Sequence, residues 1–402
     1  MLTKTVIVPS KILTKRKLLV LEELEEEYKK ILLEAIDYGL KNNVSSFTRL
    51  KAALYYLLRD KYQHLPSHYI YTALQDTSTR LRSFKKLKKR GLAKSDKPEV
   101  KKVSIWLDDH LWKPFGYTAM KVSTHKGRIA LELEPHKLFW KYVNSWIIRD
   151  QPKIKIDKKK KRAYVYFVFE KEITVSKAEN GNVISVDINE SNVTVKVQNK
   201  VCILETDIKK ITLGYASYKE AIQSVKGNGK AKRAVSNKEK QKKKDRRYKI
   251  ANLIANTAKK LDAVVVLENL PKNCPRNMIK DVWDEKLRHR IYQAGFRSVL
   301  KAIEEKCLEK GVSFVKVNPK GTSSVCLNCG LKLMRGDAPR QLKCKCGFVA
   351  GRDVVAVLNL ERTFKGLVPL GPMPDESTLE IAVLSMKEWM RRKSVDANDK
   401  KR

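Results

Sequence analysis

The stretch that decides the fold is SSVCLNCGLKLMRGDAPRQLKCKCGFVAGRDVVAVLNL, residues 323–360. It holds two closely spaced cysteine pairs, and each pair is followed by a glycine; the cysteines are Cys326, Cys329, Cys344 and Cys346. An Arg-Asp pair then opens an apolar run, which predicts that Asp353 begins a helix directly after the cysteine loop. The role of a cysteine loop directly before one acidic residue depends on what the rest of the chain forms.

The four cysteines are typical of a metal site. Thiolates in two short knuckles suit one tetrahedral zinc ion, although the second pair, C-x-C, is tighter than the usual C-x2-C. A closed site of four cysteines leaves no coordination position for a substrate, so we expect the zinc to be structural. The loop could have only a structural role and stabilise the fold. Its position before Asp353 favours a second role, in which it orients that helix and contacts nucleic acid.

The charge balance points to a polyanionic partner. The 402 residues carry 85 Lys and Arg against 44 Asp and Glu, a net charge of +41, and 42% are hydrophobic, which is enough for folded cores. Nucleic acid is the expected partner; an anionic membrane surface is the alternative, but no segment approaches a spanning length. The chain start has no apolar run of signal-peptide length, and the other three cysteines are scattered. We expect a cytoplasmic, nucleoid-associated prokaryotic protein.

The hydrophobic pattern divides the first half of the chain. Residues 20–95 repeat apolar positions at helical spacing and predict a helical lobe. Residues 1–19 and 96–175 alternate in strand fashion and predict a β-rich domain, as a β-barrel into which the helical lobe is inserted.

The second half follows another order. Residues 176–320 and 351–366 give three strands, then a helix, strand, helix and strand, and a closing helix, which is the order of an RNase H-like sheet. Residues 321–350, the cysteine loop, are inserted before the last helix. Residues 367–402 form a tail that could be disordered. The whole is predicted to be a multidomain α+β protein.

Three acidic residues fall where this fold can bring them together. Asp187 ends the first strand, Glu268 ends a nearly unbroken apolar strand, and Asp353 starts the last helix. Taken singly, they could be a turn residue, a surface or capping residue and a helix-capping carboxylate. Gathered at one sheet edge they would repel each other without a cation, which predicts two catalytic Mg²⁺ ions and phosphodiester hydrolysis. The order Asp, Glu, Asp is of the RuvC type, whereas transposases of this fold usually have Asp, Asp, Glu.

Basic runs provide candidate contacts to phosphates. A single run is usually a solvated face, but several runs in a chain of this charge favour backbone binding. The candidate nucleic-acid-binding residues are Lys85, Lys86, Lys88, Lys89, Arg90, Lys242, Lys243, Lys244, Arg246 and Arg247.

Over most of its length the chain resembles the TnpB family of transposon-encoded, RNA-guided DNA endonucleases, relatives of compact type V CRISPR effectors. The resemblance rests on PKGTSSVCLNCG, RQLKCKCGF and GRDVVAVLNL, and on VISVDINESNVTV and VVVLENL. It implies that Asp187, Glu268 and Asp353 are the catalytic carboxylates, and that the four cysteines bind one Zn²⁺. The chain departs from the family pattern at Asn189, at Val355 and in the shortened second knuckle.

The resemblance also implies partners. The helical lobe would be a recognition lobe and the β-rich domain a wedge, and together they would hold a guide RNA from the transposon end and read a short motif beside a double-stranded DNA target. One molecule per RNA is favoured, with the oligomeric state left open. Three other hypotheses remain: a guided DNA-binding repressor without cleavage, a transposase and a basic zinc-ribbon RNA-binding protein. The three retained carboxylates weigh against the repressor.

Overall fold

The structure is a computed structural model, and it describes residues 1–149, 151–175, 181–225, 229–366, 380–385 and 388. The chain divides into two compact units, Met1–Glu172 and Ile173–Arg402. None of the helices in these described ranges is long and apolar enough to cross a membrane.

The first unit joins long helices to short strands. It begins with β1 (Leu2–Pro9), α1 (Lys15–Lys41), α2 (Phe47–Lys61) and α3 (His68–Lys89). It continues with β2 (Ile105–Trp106), β3 (Trp112–Pro114), β4 (Ala119–Thr124), β5 (Gly127–Glu132), α4 (Lys137–Val143), β6 (Ile147–Ile148), β7 (Lys153–Asp157) and β8 (Arg162–Lys171). Strand β1 pairs antiparallel with β8 along its whole length, so the first strand lies in the β-rich sheet and the three long helices are inserted after it.

Two expectations for this unit need correction. Helix α1 begins at Lys15, where the Thr14 hydroxyl accepts a hydrogen bond from the Lys17 amide, so a domain boundary at residue 20 would cut through the helix. The β-barrel is also not seen among the described strands. They form an open sheet in the order β1-β8-β7-β2, with β6 on β8, and a second sheet of β3, β4 and β5, which an antiparallel bridge between Ser10 and Leu133 links to the end of β1.

The second unit contains the acidic residues and the cysteine loop. Its first part comprises β9 (Val183–Ile188), β10 (Asn192–Val197), β11 (Lys200–Glu205), α5 (Ile208–Gln223), α6 (Gly229–Lys260), β12 (Val264–Glu268), α7 (Cys274–Met278), α8 (Glu285–Ala294) and α9 (Phe296–Lys310). Its second part comprises β13 (Phe314–Val317), β14 (Met334–Arg335), β15 (Gln341–Lys343), β16 (Val349–Gly351), α10 (Arg352–Phe364) and β17 (Glu380–Leu384).

One six-stranded sheet organises this unit, in the order β13-β12-β9-β10-β11-β17. Strands β9, β10 and β11 are antiparallel neighbours, and β12 and β13 run parallel to β9. All six residues of β9 are buried, which explains why this segment is so apolar. Since β9 and β12 are parallel neighbours, the residues that end them emerge at the same edge of the sheet.

Two segments differ from expectation. The tail is not wholly irregular, because Glu380–Leu384 forms β17 and pairs parallel with β11. The single helix predicted after the first three strands is two helices in the structure, α5 and the 32-residue α6. Residues 230–260 contain no glycine or proline and are rich in Lys, Ala and Arg, which are good helix formers.

Candidate active site and metal centre

The three acidic residues line one cavity of about 300 Å³. Asp187 is the penultimate residue of β9, Glu268 is the last residue of β12 and Asp353 is the second residue of α10. The register Val186–Leu267 makes Asp187 and Glu268 the next positions along two adjacent parallel strands. The folding of the sheet therefore brings together carboxylates that are separated by 81 and 85 residues in the sequence.

Two asparagines hold the oxygen atoms of these carboxylates. The Asn189 side-chain amide donates to Asp187 Oδ2 at 2.7 Å and to Asp353 Oδ1 at 3.2 Å. The Asn192 amide donates to Asp353 Oδ2 at 3.3 Å. Asn189, one of the departures from the family pattern, therefore links the carboxylate of the first strand to that of the last helix.

Burial raises the pKa values of two of the three carboxyl groups, those of Asp187 and Glu268. Desolvation raises the pKa of Asp187 to about 6; the nearby charge of Asp353 adds to this, while the hydrogen bond from Asn189 opposes it. Desolvation likewise raises the pKa of Glu268 to about 7, reinforced by Asp187 and opposed by the Thr322 hydroxyl, which donates to Glu268 Oε1 at 3.0 Å. Hard oxygen donors in this state fit a divalent cation such as Mg²⁺.

Arg340 is a site residue that the sequence did not indicate. It lies at the turn before β15 with a positive φ of 63°, and its guanidinium contacts Asp353 Oδ1 and donates to Asn189 Oδ1 at 3.0 Å. Arg352 also lines the cavity, and its charge lowers the pKa of both Asp187 and Glu268. A lone arginine in a polar loop has no distinctive spacing, so its position only becomes visible once the chain is folded.

The four cysteines form a compact cluster in which all four sulfur atoms lie within 4.8 Å of one another. The Sγ atoms of Cys326 and Cys346 are 3.6 Å apart, and those of Cys329 and Cys344 are 3.3 Å apart. Ligands at about 2.3 Å from a tetrahedral zinc would be about 3.8 Å apart, so the cluster could hold this ion.

The two turns of the cluster each place a glycine in the left-handed region. Gly330 and Gly347 have φ of 74° and 89°, which glycine adopts without strain. The backbone amide of Cys346 lowers the pKa of the Cys344 thiol to about 7, whereas burial raises the pKa of the Cys326 thiol.

The cysteine loop packs directly against α10. Cys326, Leu327, Leu333, Cys344 and Phe348 share one buried cluster with Val354, Val355, Val357 and Leu358. The buried amide of Asn359 donates to the carbonyl oxygens of Thr322 and Val325, at 3.0 and 2.9 Å. Val355, the second departure, is fully buried in this contact. The loop thus fixes the helix that carries Asp353.

The predicted basic contacts fall into two groups. Lys86, Lys88, Lys89 and Arg90 are exposed at the end of α3 or just beyond it, and Lys242 and Lys244 are exposed on α6. Lys85 is partly buried and donates to Asn43. Lys243 is poorly placed for the predicted contact: its side chain is only 3% exposed, and it forms an ion pair with Glu239 at 2.5 Å. Arg246 and Arg247 are partly buried.

Family models match two parts of the chain. Residues 24–123 match the Uncharacterized protein MJ0013 family, and residues 296–360 match the Cas12f1-like, TNB domain, which contains the cysteine loop and most of α10. In Methanocaldococcus jannaschii, uncharacterized protein MJ0857 is 37% identical over 240 residues, 55% of this chain and 87% of that protein. TnpB-like protein MJ0751 is 29% identical over 216 residues, 50% of this chain and 74% of that protein.

A solved structure shares the fold. The chain in the cryo-EM structure of the Cas12f1-sgRNA-target DNA complex has a TM-score of 0.51 and 15% sequence identity, covering 90% of this chain and 98% of that chain. At this identity the likeness establishes the fold alone. The TnpB-like relative and the match to the Cas12f1-like domain identify the chain as a relative of the TnpB family and of compact type V effectors.

Proposed function

We propose that this protein is an RNA-guided, magnesium-dependent DNA endonuclease of a transposon, which cleaves double-stranded DNA beside a short target-adjacent motif. The observation that carries the proposal is the cavity in which Asp187, Glu268 and Asp353 converge, with the pKa of Asp187 and Glu268 raised by burial. Buried carboxylates in this state favour a cation and are costly without one.

The proposed metal ligands are these three carboxylates. Two bound Mg²⁺ ions would supply an activated water and charge stabilisation for the leaving oxygen of a phosphodiester. The fit depends on oxygen donors that share one small cavity and on the raised pKa of two of them. The domain that holds them is proposed to be RNase H-like and of the RuvC type, supported by the order β13-β12-β9-β10-β11.

The chain's other residues would position these ligands. Asn189 holds Asp187 and Asp353 at a fixed separation through one amide group. Thr322 orients Glu268 and, by donating to the carboxylate, favours its ionised form. Arg352 lines the cavity with a permanent positive charge and is placed to attract a phosphate group toward the carboxylates.

The structural zinc would be held by Cys326, Cys329, Cys344 and Cys346. Its proposed role is to keep the loop of residues 321–350 in the shape that packs against α10 and thereby fixes Asp353. On this proposal, the cysteine loop precedes Asp353 in the sequence because it supports the helix that carries this carboxylate.

The partners follow from the family and the charge. A guide RNA from the transposon end and a double-stranded DNA target would neutralise the net charge of +41. The solved relative is a complex with sgRNA and target DNA, which supports this assignment. The β-rich part of the first unit is proposed as the wedge and its helices as the recognition lobe. The guided repressor is the competing proposal, and it predicts binding without cleavage.

To test the proposal, the RNA that copurifies with the protein is sequenced. The same preparation is then assayed for cleavage of a plasmid library in magnesium, with the Asp187→Ala protein assayed in parallel. A discrete RNA with programmed cutting that the substitution abolishes is the expected result. A discrete RNA with target binding but no cutting by the unsubstituted protein would replace the nuclease with the repressor. Heterogeneous RNA without programmed binding would overturn both.

A further inference from the structure

The second unit contains a cleft that the proposed catalytic chemistry does not use. It lies between α5 and α6 and has a volume of about 610 Å³. Two tyrosines and four cations line it: Tyr215, Tyr218, Lys210, Lys238, Lys242 and Arg246. We propose that this cleft binds an unpaired nucleotide of RNA, with the base against the tyrosines and the flanking phosphates on the cations. The inference rests on the proposed RNA binding and assigns part of it to a defined site.

Aromatic surface is available for a base. The Tyr218 side chain is 67% exposed although it is a large apolar ring. Its ring centroid lies 6.4 Å from that of Tyr215, with the two planes at 38°. An exposed ring beside a second ring is the arrangement on which a base stacks, and stacking tolerates any base because every base has a π-face.

The cations are placed for phosphates. Lys242 Nζ lies 5.3 Å from the Tyr215 ring centroid, so one ammonium group stands directly beside the aromatic surface. Lys238 and Lys242 are one helical turn apart on α6 and are both exposed, and Arg246 continues the same face. A row of positive charges along one wall, with an aromatic surface beside it, suits the backbone and bases of a single-stranded nucleic acid better than a compact anion.

An acidic residue at the cleft favours RNA over DNA. Asp207 is in the left-handed region, with φ of 57°, and precedes α5 without a side-chain capping hydrogen bond. Its carboxylate oxygens lie 3.8 Å from Lys210 Nζ and 3.6 Å from Arg246 Nε, beyond ordinary hydrogen-bond distance. The carboxylate can therefore accept a hydrogen bond from a ribose 2′-hydroxyl, the group that DNA lacks.

The cleft is preformed and has room for a base. Glu239 on α6 is buried and forms ion pairs with Lys219 of α5 and Lys243 of α6, so the two helices are joined beside the cleft. Gly214 lines the cleft, and a Cβ atom added there would meet no described atom within 4 Å. A side chain at residue 214 would therefore begin in open space at the wall of the cleft, and its outer atoms would compete with a base for that space.

The test measures binding of a fluorescent 12-nucleotide oligo(U) RNA to full-length, RNA-free protein by anisotropy, over a range of salt concentrations and without magnesium. Tyr218→Leu should weaken binding about 5- to 50-fold and leave the salt dependence unchanged, because stacking is lost and no phosphate contact is. Lys242→Gln should weaken binding and reduce the salt slope by about one. Gly214→Leu should weaken binding as Tyr218→Leu does. Tyr292→Leu and Lys260→Gln are matched controls outside the cleft and should bind normally.

A DNA oligomer of the same length tests the choice of RNA. The unsubstituted protein should prefer RNA, and Asp207→Asn should reduce that preference, since an amide accepts the 2′-hydroxyl more weakly. Unchanged RNA affinity in both Tyr218→Leu and Gly214→Leu would overturn the site, and equal affinity for DNA would overturn its assignment to RNA. The binding assay does not depend on cleavage. A protein that binds RNA through Tyr218 but fails to cleave DNA would contradict the proposed endonuclease activity and still support the proposed RNA site.

Discussion

The two candidate metal sites of the second unit are assembled differently. The four cysteine sulfurs lie within 4.8 Å of one another, on two short knuckles of one loop. The three carboxylates come from two strands and a helix, and amide and guanidinium groups of Asn189, Asn192 and Arg340 bind oxygens of Asp187 and Asp353. The first arrangement suits one structural ion that stays bound, whereas in the second arrangement protein groups already bind the oxygens that a cation would need.

The comparison predicts that the cysteine site supports the carboxylate site. Replacing Cys326 and Cys329 with Ser should remove about one zinc per chain and lower programmed cleavage at least about 100-fold, because α10 loses its packing partner. Zinc content and single-turnover cleavage measure the two effects. Cys202→Ser, a cysteine in β11, is the control and should change neither. If the double variant is folded, lacks zinc and still cleaves at the rate of the unsubstituted protein, the two sites are independent.

The carboxylate site should be destabilising when it lacks a cation. The pKa of Asp187 is about 6 in the folded chain and 3.8 in the unfolded one, so its ionisation opposes folding. Asp187→Asn should therefore raise the stability of the magnesium-free protein by about 1–3 kcal/mol above pH 6. The gain should decline as the pH falls from 6 toward 3.8, where the unfolded carboxyl also becomes protonated.

Thermal unfolding in magnesium-free, zinc-replete buffer at pH 8 and pH 4 checks this effect. Asp337→Asn, at an exposed aspartate that pairs with Lys343, is the control and should change the midpoint little. Added magnesium should stabilise the unsubstituted protein more than Asp187→Asn. A lower midpoint for Asp187→Asn in magnesium-free buffer at pH 8 would contradict the view that the cavity is short of positive charge.

Arg340 should compete with the divalent ion for Asp353. Its guanidinium already contacts the Oδ1 atom of this carboxylate, and a cation bound there would have to displace or share it. Arg340→Gln should tighten Mn²⁺ binding about fivefold, the scale of one partly exposed ion pair. Electron paramagnetic resonance of free Mn²⁺ measures this without cleavage. Arg335→Gln, in β14 of the same loop, should bind Mn²⁺ normally, and weaker binding by Arg340→Gln would indicate a different role for the arginine.

The smallest expected effect concerns Thr322. Its hydroxyl donates to Glu268 and lowers the pKa of that carboxyl from what burial alone would give. Thr322→Val should shift the pH midpoint of cleavage upward and reduce cleavage at pH 7 about two- to threefold, with little change at pH 9. Thr322→Ser keeps a hydroxyl and should restore the original profile. An equal loss at every pH would point to altered packing instead.

The carboxylates could be predicted from sequence because each follows a local pattern. Asp187 and Glu268 end apolar strands, and Asp353 opens an apolar helical run, so strand periodicity and element order were enough to place them at one sheet edge. The cysteine cluster was equally local, since its four cysteines lie within 21 residues. Their convergence in one cavity agrees with the expectation, while their catalytic role stays a proposal.

What the sequence did not reveal depends on distant packing. Arg340 reaches Asn189 across 151 residues, and no local pattern marks it. Lys243 belongs to a run of lysines that are alike in sequence, and only the packing of α6 against its neighbours, where Lys243 donates to Gln293 of α8, decides which of them is buried. Strand β17 pairs with β11 across about 180 residues in a segment whose composition suggests disorder. In each case the deciding contact is made after the local elements have formed.

The most direct test of the central claim is single-turnover cleavage of a matched DNA by the RNA-loaded Glu268→Gln protein. This substitution keeps the size of the side chain and the acceptor for Thr322 but removes the charge. We predict a loss of cleavage of at least about 100-fold in magnesium with unchanged binding of RNA and target. Cleavage at the unsubstituted rate would contradict the account, because the cavity would then hold carboxylates that the reaction does not need.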